Sequence, residues 1–172
     1  LLLLHRPSPL MHPNEIAAAV SVLKESGKIL DFGVSNFSPS QLSLLDNKTA
    51  VSVNQIEFSL TQHLAMHNGV LDQLLQKEIL PMSWSPLGSF FKEATKTNTR
   101  IKKVLDTFTK KYNATEDQLL LAWILKHPSG VIPVVGTTSK VRLQNAVKAL
   151  DIELDLEDWF TLLVECQGHK VP

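Results

Sequence analysis

The polar residues of this chain fall at telling places. Each of five short apolar runs closes on them: His5 after the first, Ser35 and Asn36 after the second, Asn54, Gln55 and Glu57 at the third, Trp84 and Ser85 at the fourth, and Gly136, Thr137 and Thr138 after the fifth. An imidazole holds or passes a proton near neutral pH, amides and hydroxyls both donate and accept hydrogen bonds, and an indole offers a large flat face. The string Gly136, Thr137, Thr138, Ser139 stands between a strand-like run and a helix-like one. In that setting free backbone N–H groups, hydroxyls and the positive end of a helix converge on a phosphate, and Lys140 and Arg142 add charge beside it. Taken singly, each feature has a plainer reading: Ser-Asn is a turn, Gln55 a solvated strand end, Gly-Thr-Thr a one-turn cap, and a lone Trp core packing.

Two other sets of residues invite chemistry. His63 and His67 are four apart, but no Glu follows His63 and no third ligand is evident, so they read as solvent-facing and no metal site is expected. Cys166 lies on an apolar helical stripe without an activating base and reads as a structural thiol.

These residues need elements to hold them. The apolar runs 1–4, 29–34, 51–56, 79–84 and 131–135 read as buried strands. Helical patterns follow: Ile16, Val20 and Leu23 closed by Gly27; Leu42 and Leu45 opened by Ser38 and Pro39; then Val70, Leu71, Leu74 and Leu75. A polar insertion over 88–98 precedes an amphipathic helix carrying Ile101, Val104, Leu105, Phe108 and Tyr112. Thr115 and Gln118 form a capping box for the next helix, Ser139 caps one bearing Leu143, Val147 and Leu150, and Asp155 caps a last one bearing Trp159, Leu162 and Leu163.

Strands alternating with helices require parallel pairing, which leaves a doubly wound sheet or a (β/α)8 barrel. The dinucleotide-binding doubly wound fold should carry G-x-G-x-x-G, and no such string occurs. Polar residues at the carboxyl end of every strand fit the mouth of a barrel. A barrel has eight strands in about 250 residues. The expectation is therefore an α/β chain folded as a partial TIM (β/α)8 barrel, residues 1–172 forming one domain that corresponds to strands 4–8, with about three βα units expected upstream of the apolar Leu1.

Composition narrows the function classes. With 44% hydrophobic and 20% charged residues the 172-residue chain has the make-up of a soluble globular domain. Seventeen basic residues balance seventeen acidic ones, so no basic field exists to attract nucleic acid or an anionic membrane, and no run is long enough to span a bilayer. A single cysteine fits a reducing compartment, and a cytoplasmic location is expected.

Leu-Leu-His-Arg-Pro at 3–7, Gly-Val-Ser-Asn-Phe at 33–37, Asn54-Gln55-Ile56-Glu57, Trp84-Ser85-Pro86-Leu87-Gly88 and Gly136-Thr137-Thr138-Ser139 occur in the order found in aldo-keto reductases. The chain resembles that family over essentially its whole length, and the closing Gln167-Gly168-His169-Lys170-Val171-Pro172 is similar to the tail of a bacterial oxidoreductase subgroup. The resemblance implies reduction of a small aldehyde or ketone by NADPH. It implies His5 as the catalytic histidine. It implies Ser35, Asn36 and Gln55 on the nicotinamide carboxamide, Trp84 stacked on the nicotinamide ring, and Ser85 and Leu87 near the pyrophosphate. Gly136, Thr137 and Thr138 would then meet phosphate, Arg142 the adenosine 2′-phosphate, and Asn145 the adenine.

The family's Asp, Tyr and Lys map upstream of His5, and the sole tyrosine, Tyr112, sits on a helix away from any strand end. The chain thus reads as part of an NADPH-dependent aldo-keto reductase, inactive alone and open to self-association through its sheet edges. The alternative is a non-catalytic remnant of the fold that acts in binding or interaction.

Overall fold

The computed structural model describes residues 1–171. Five parallel strands, β1 (Leu2–Leu4), β2 (Phe32–Ser35), β3 (Val53–Glu57), β4 (Leu80–Trp84) and β5 (Ile132–Pro133), lie side by side in chain order. A doubly wound sheet would reverse its order at a switch point; sequential order in one direction is the sector of a barrel. Among the described residues seven α-helices connect or follow the strands: α1 (Pro13–Glu25), α2 (Pro39–Asp46), α3 (Val70–Gln76), α4 (Lys96–Lys111), α5 (Glu116–Leu125), α6 (Lys140–Val147) and α7 (Leu156–Gln167).

The two faces of the sheet differ because successive side chains alternate. Phe32, Val34, Asn54, Ile56 and Ser83 are buried, and the apolar ones pack with Leu42, Leu74, Leu105, Leu120 and Trp123 of the helices in one core. Across the other face run Ser35, Gln55, Met82 and Ile132 as register partners. This face is the concave one, and it leaves Leu80 38% and Ile132 46% exposed. Gly33 lies on it between β1 and β3, where an added Cβ would come within 2.8 Å of the Val53 carbonyl oxygen, so only glycine allows the strands to close there.

Local signals explain most boundaries. Ser38 and Gln41 exchange hydrogen bonds as a capping box with Pro39 in the first helical position, and Gly27 takes a left-handed conformation after α1. The Gln118 side chain accepts from the Thr115 N–H at the start of α5, and Ser139 accepts from the Arg142 N–H at the start of α6.

Other boundaries depart from the expectation. Residues 29–31 precede β2 because the N–H groups of Lys28 and Ile29 turn back to the Leu23 carbonyl, and Leu30 faces solvent. β5 shrinks to Ile132–Pro133, since Pro133 has no N–H to donate, although Val134 donates to the Ser83 carbonyl at 2.8 Å. Asn98 belongs to α4, whose cap is Thr95; its amide donates to the Ser89 and Glu93 carbonyls and so folds the preceding loop. Asp155 takes the N-cap position of α7 as expected, but its side chain makes no capping bond and its carboxylate is bonded to Lys111. Pro172, which ends the closing motif, lies outside the described residues.

Candidate active site and cofactor cleft

The carboxyl ends of β2, β3 and β4 are tied by one hydrogen-bond chain. Ser35, fully buried, donates from Oγ to the Gln55 carbonyl at 2.9 Å and accepts from Asn36 Nδ2 at 3.0 Å. The Asn36 N–H also donates to the Gln55 carbonyl, at 2.8 Å. Trp84 Nε1 donates to Asn36 Oδ1 at 2.9 Å. Asn36 and Ser85 both have positive φ, 60° and 50°, a conformation that bends the chain off the strand and exposes the next residues.

Support comes from below. Asn54 donates from Nδ2 to the Phe37 carbonyl at 3.0 Å and accepts from the Phe37 N–H, clamping the loop that presents Asn36. Gly88 has φ +55°, and a Cβ there would come within 2.0 Å of Thr61 Oγ1, so the β4 loop packs directly on the β3 loop. His5, exposed, follows β1 by one residue; with Leu4 beside Val34, it stands level with Ser35.

Beyond Trp84 opens a cleft of about 800 Å³. The structure brings Trp84, Ser85, Leu87, Gly136, Thr137 and Arg142 together on its walls. Thr138 continues the same loop. The backbone N–H groups of Gly136, Thr137 and Thr138 have no protein acceptor among the described residues, and neither has the Arg142 side chain. Two further charged residues that the sequence did not single out, Lys92 and Asp117, also line the cleft. No motif marks them: Lys92 lies in the polar insertion and Asp117 inside a capping box, and only the folding of α5 against α6 reveals the second.

Asn145, beside the cleft, is engaged by protein partners. Its Oδ1 accepts from Gln118 at 2.8 Å and its Nδ2 donates to Thr115 and Asp117, so its amide joins α6 to α5.

The remaining candidates are structural. His63 is half-buried, not solvent-facing: its Nδ1 lies 2.9 Å from the Leu60 carbonyl and its Nε2 3.4 Å from Gln167 Nε2. Burial pushes its pKa below the ordinary value. Among the described residues no group of three His, Cys, Asp or Glu is arranged to hold a metal. Cys166 is buried, donates to the Leu60 carbonyl, and has its pKa pushed up to about 11 by burial, so it stays a thiol. The Tyr112 hydroxyl donates to Asp158 and accepts from the Asp155 N–H, joining the end of α4 to α7. Among the described residues no helix is long and apolar enough to cross a membrane.

Comparison with known proteins agrees with this architecture. A solved thermostable aldo-keto reductase superposes with a TM-score of 0.85 at 24% identity, over 95% of this chain and 58% of its own. An uncharacterized oxidoreductase of Bacillus subtilis is 38% identical over the whole chain, and a 6-dehydroglucose reductase of Agrobacterium fabrum 37% identical over 99% of it. The chain spans 59% and 58% of the lengths of these two relatives. The family model described as "Aldo/keto reductase family" matches residues 1–163. With five parallel strands in barrel order and this match over nearly its full length, the chain belongs to the aldo/keto reductase family.

Proposed function

We propose that the chain is the cofactor-binding part of a reductase that converts a small aldehyde or ketone to an alcohol with NADPH, and that three upstream βα units complete its single barrel domain. One observation carries the reading: Arg142 and the loop 136–138, with its unpaired N–H donors, border the same cleft as Trp84, whose indole is bonded to Asn36. This donor set fits a phosphorylated dinucleotide, with anion donors at one end and amide donors and acceptors at the other.

When bound, NADPH supplies a hydride. The chain's own groups bind and orient. Arg142 and the N–H groups of 136–138 hold phosphate, the Arg142 fork matching the 2′-phosphate. Asn36 and Gln55 meet the carboxamide, whose orientation decides which hydride is presented, and Ser35 fixes Asn36. Trp84 limits the ring to one side, and Ser85 and Leu87 border the pyrophosphate. His5 orients the substrate carbonyl and helps stabilise the alkoxide. The name of the Agrobacterium relative makes a sugar carbonyl the first substrate class to try. A cytoplasmic location belongs to the same reading.

Titrating NADPH and NADH against the wild type and Arg142→Ala tests it. NADPH should bind more tightly, and the variant should lose about 1.5 to 3 kcal/mol of that advantage. Equal weakening of both cofactors would remove Arg142 from the role. The sole tyrosine, Tyr112, follows α4 and is bonded to Asp158, which is the observation that favours the second reading, a non-catalytic remnant. An upstream D-x-A-x-x-Y pattern and a strand ending in Lys would decide for the enzyme.

A further inference from the structure

Among the charged residues lining the cleft two are basic, Lys92 and Arg142, and one is acidic, Asp117. Asp117 is the second residue of α5, and its carboxylate is held in place. It accepts from Asn145 Nδ2 at 3.2 Å and from the Thr115 hydroxyl. Asn145 is fixed in turn, because Gln118 Nε2 donates both to its Oδ1 and to its backbone carbonyl, at 2.8 and 2.9 Å. Arg142 lies three residues before Asn145 on α6, hence on the same face of the helix. A fixed negative charge therefore stands on the wall that carries the anion-binding arginine, and it cannot swing away without breaking the bonds that join α5 to α6.

We infer that Asp117 is a specificity-determining residue of the cofactor cleft, lowering the preference for a 2′-phosphorylated dinucleotide over its unphosphorylated counterpart. This rests on the proposed cofactor reading. A 2′-phosphate carries close to two negative charges, and a 2′-hydroxyl carries none. Asp117 opposes the first and is nearly indifferent to the second, so it acts on the difference between the two cofactors. A purely structural role, as an acid in the first turn of α5 or as a partner of Asn145, would change both affinities alike.

The test is binding to the chain by calorimetry, with NADPH, NADH, 2′,5′-ADP and 5′-AMP as ligands, for the wild type, Asp117→Asn and Asp117→Ser. Asparagine keeps an acceptor for Asn145 and removes the charge; serine serves if the asparagine variant does not fold. NADPH and 2′,5′-ADP should bind about 3- to 10-fold more tightly to the variant, and the gain should shrink at about 0.5 M salt, as expected for a partly screened charge. NADH and 5′-AMP should change by less than about twofold, because they place no phosphate at that position. An unchanged NADPH to NADH ratio in a folded variant overturns the inference and leaves the cofactor reading intact. A wild-type chain that binds none of the four ligands overturns both.

Discussion

The Trp84 indole N–H donates to Asn36 Oδ1 across 2.9 Å, joining the end of β4 to the end of β2 over the intervening β3. Three strand ends are thereby set by a pair of side chains. Trp84→Phe keeps a flat ring but removes the donor, and should weaken dinucleotide binding by about 0.5 to 1.5 kcal/mol, the net worth of one hydrogen bond. Asn36 also sits at φ 60°, which asparagine tolerates better than alanine. Asn36→Gly should therefore be more stable than Asn36→Ala by about 1 kcal/mol in urea titration, although both lose the amide. Equal stabilities would show that the left-handed backbone carries no strain.

Trp123 and Trp159 form a reciprocal pair. Their rings stack 4.8 Å apart at 4°, and each Nε1 donates to the other's backbone carbonyl, at 3.1 and 2.9 Å. This locks α7 onto the fully buried face of α5. Trp123→Ala should cost about 3 to 5 kcal/mol in unfolding free energy. Trp159→Phe should cost about 1 to 3 kcal/mol by leaving the Trp123 carbonyl unpaired. Because the residues touch, a double-mutant cycle should show strong non-additivity; strictly additive losses would mean that the pair does not act as a unit.

Much of the barrel sector and its mouth was legible in the residues alone, for reasons specific to each element. Strand ends carried polar residues because helices bury the rest of each strand, and Ser38 and Ser139 marked helix starts because free N–H groups there need acceptors. The 29–34 run misled at its start because apolar residues also serve in the turn that leads from α1 into β2. His63 misled because its burial comes from Gln167 and Cys166, more than one hundred residues away in sequence, as their hydrogen-bond separations of 104 and 103 show. Asp117 was invisible for the same reason, since its place on the cleft wall is set by how α5 meets α6.

Acid should weaken the fold through two histidines. Burial holds both His63 and His127 below the ordinary pKa, against the smaller opposing effects of the Leu60 carbonyl and Asp72 respectively. The unfolded chain, with histidines near pKa 6.5, then takes up protons that the folded chain refuses. Stability is complete above about pH 6.5 and falls as pH drops from there toward the folded values. The urea midpoint should decrease between about pH 7.5 and pH 5.5, a window that keeps most carboxylates ionised. His63→Gln and His127→Gln should each flatten the decline. An unchanged slope in the double variant would assign the effect to other groups.

Catalysis and assembly should fail together in the 172-residue chain. Its concave face leaves Leu80 and Ile132 exposed, and β1 and β5 each present an unpaired edge. Such a surface favours self-association, so light scattering should find oligomers or aggregates in place of a monodisperse monomer. Hydride transfer also needs an acid within hydrogen-bond reach of the carbonyl oxygen, help typically worth about 10²- to 10⁴-fold. His5 offers a donor, but the hydroxyl of the sole tyrosine, Tyr112, is engaged by Asp158 of α7. An open concave face admits water and leaves the nicotinamide end loosely fixed, so orientation is lost as well. NADPH oxidation with a reactive aromatic aldehyde should therefore be negligible for this chain and appear in a protein carrying the upstream βα units. Turnover by the short chain that disappears in His5→Ala would refute this expectation, because it would place a complete acid among these residues.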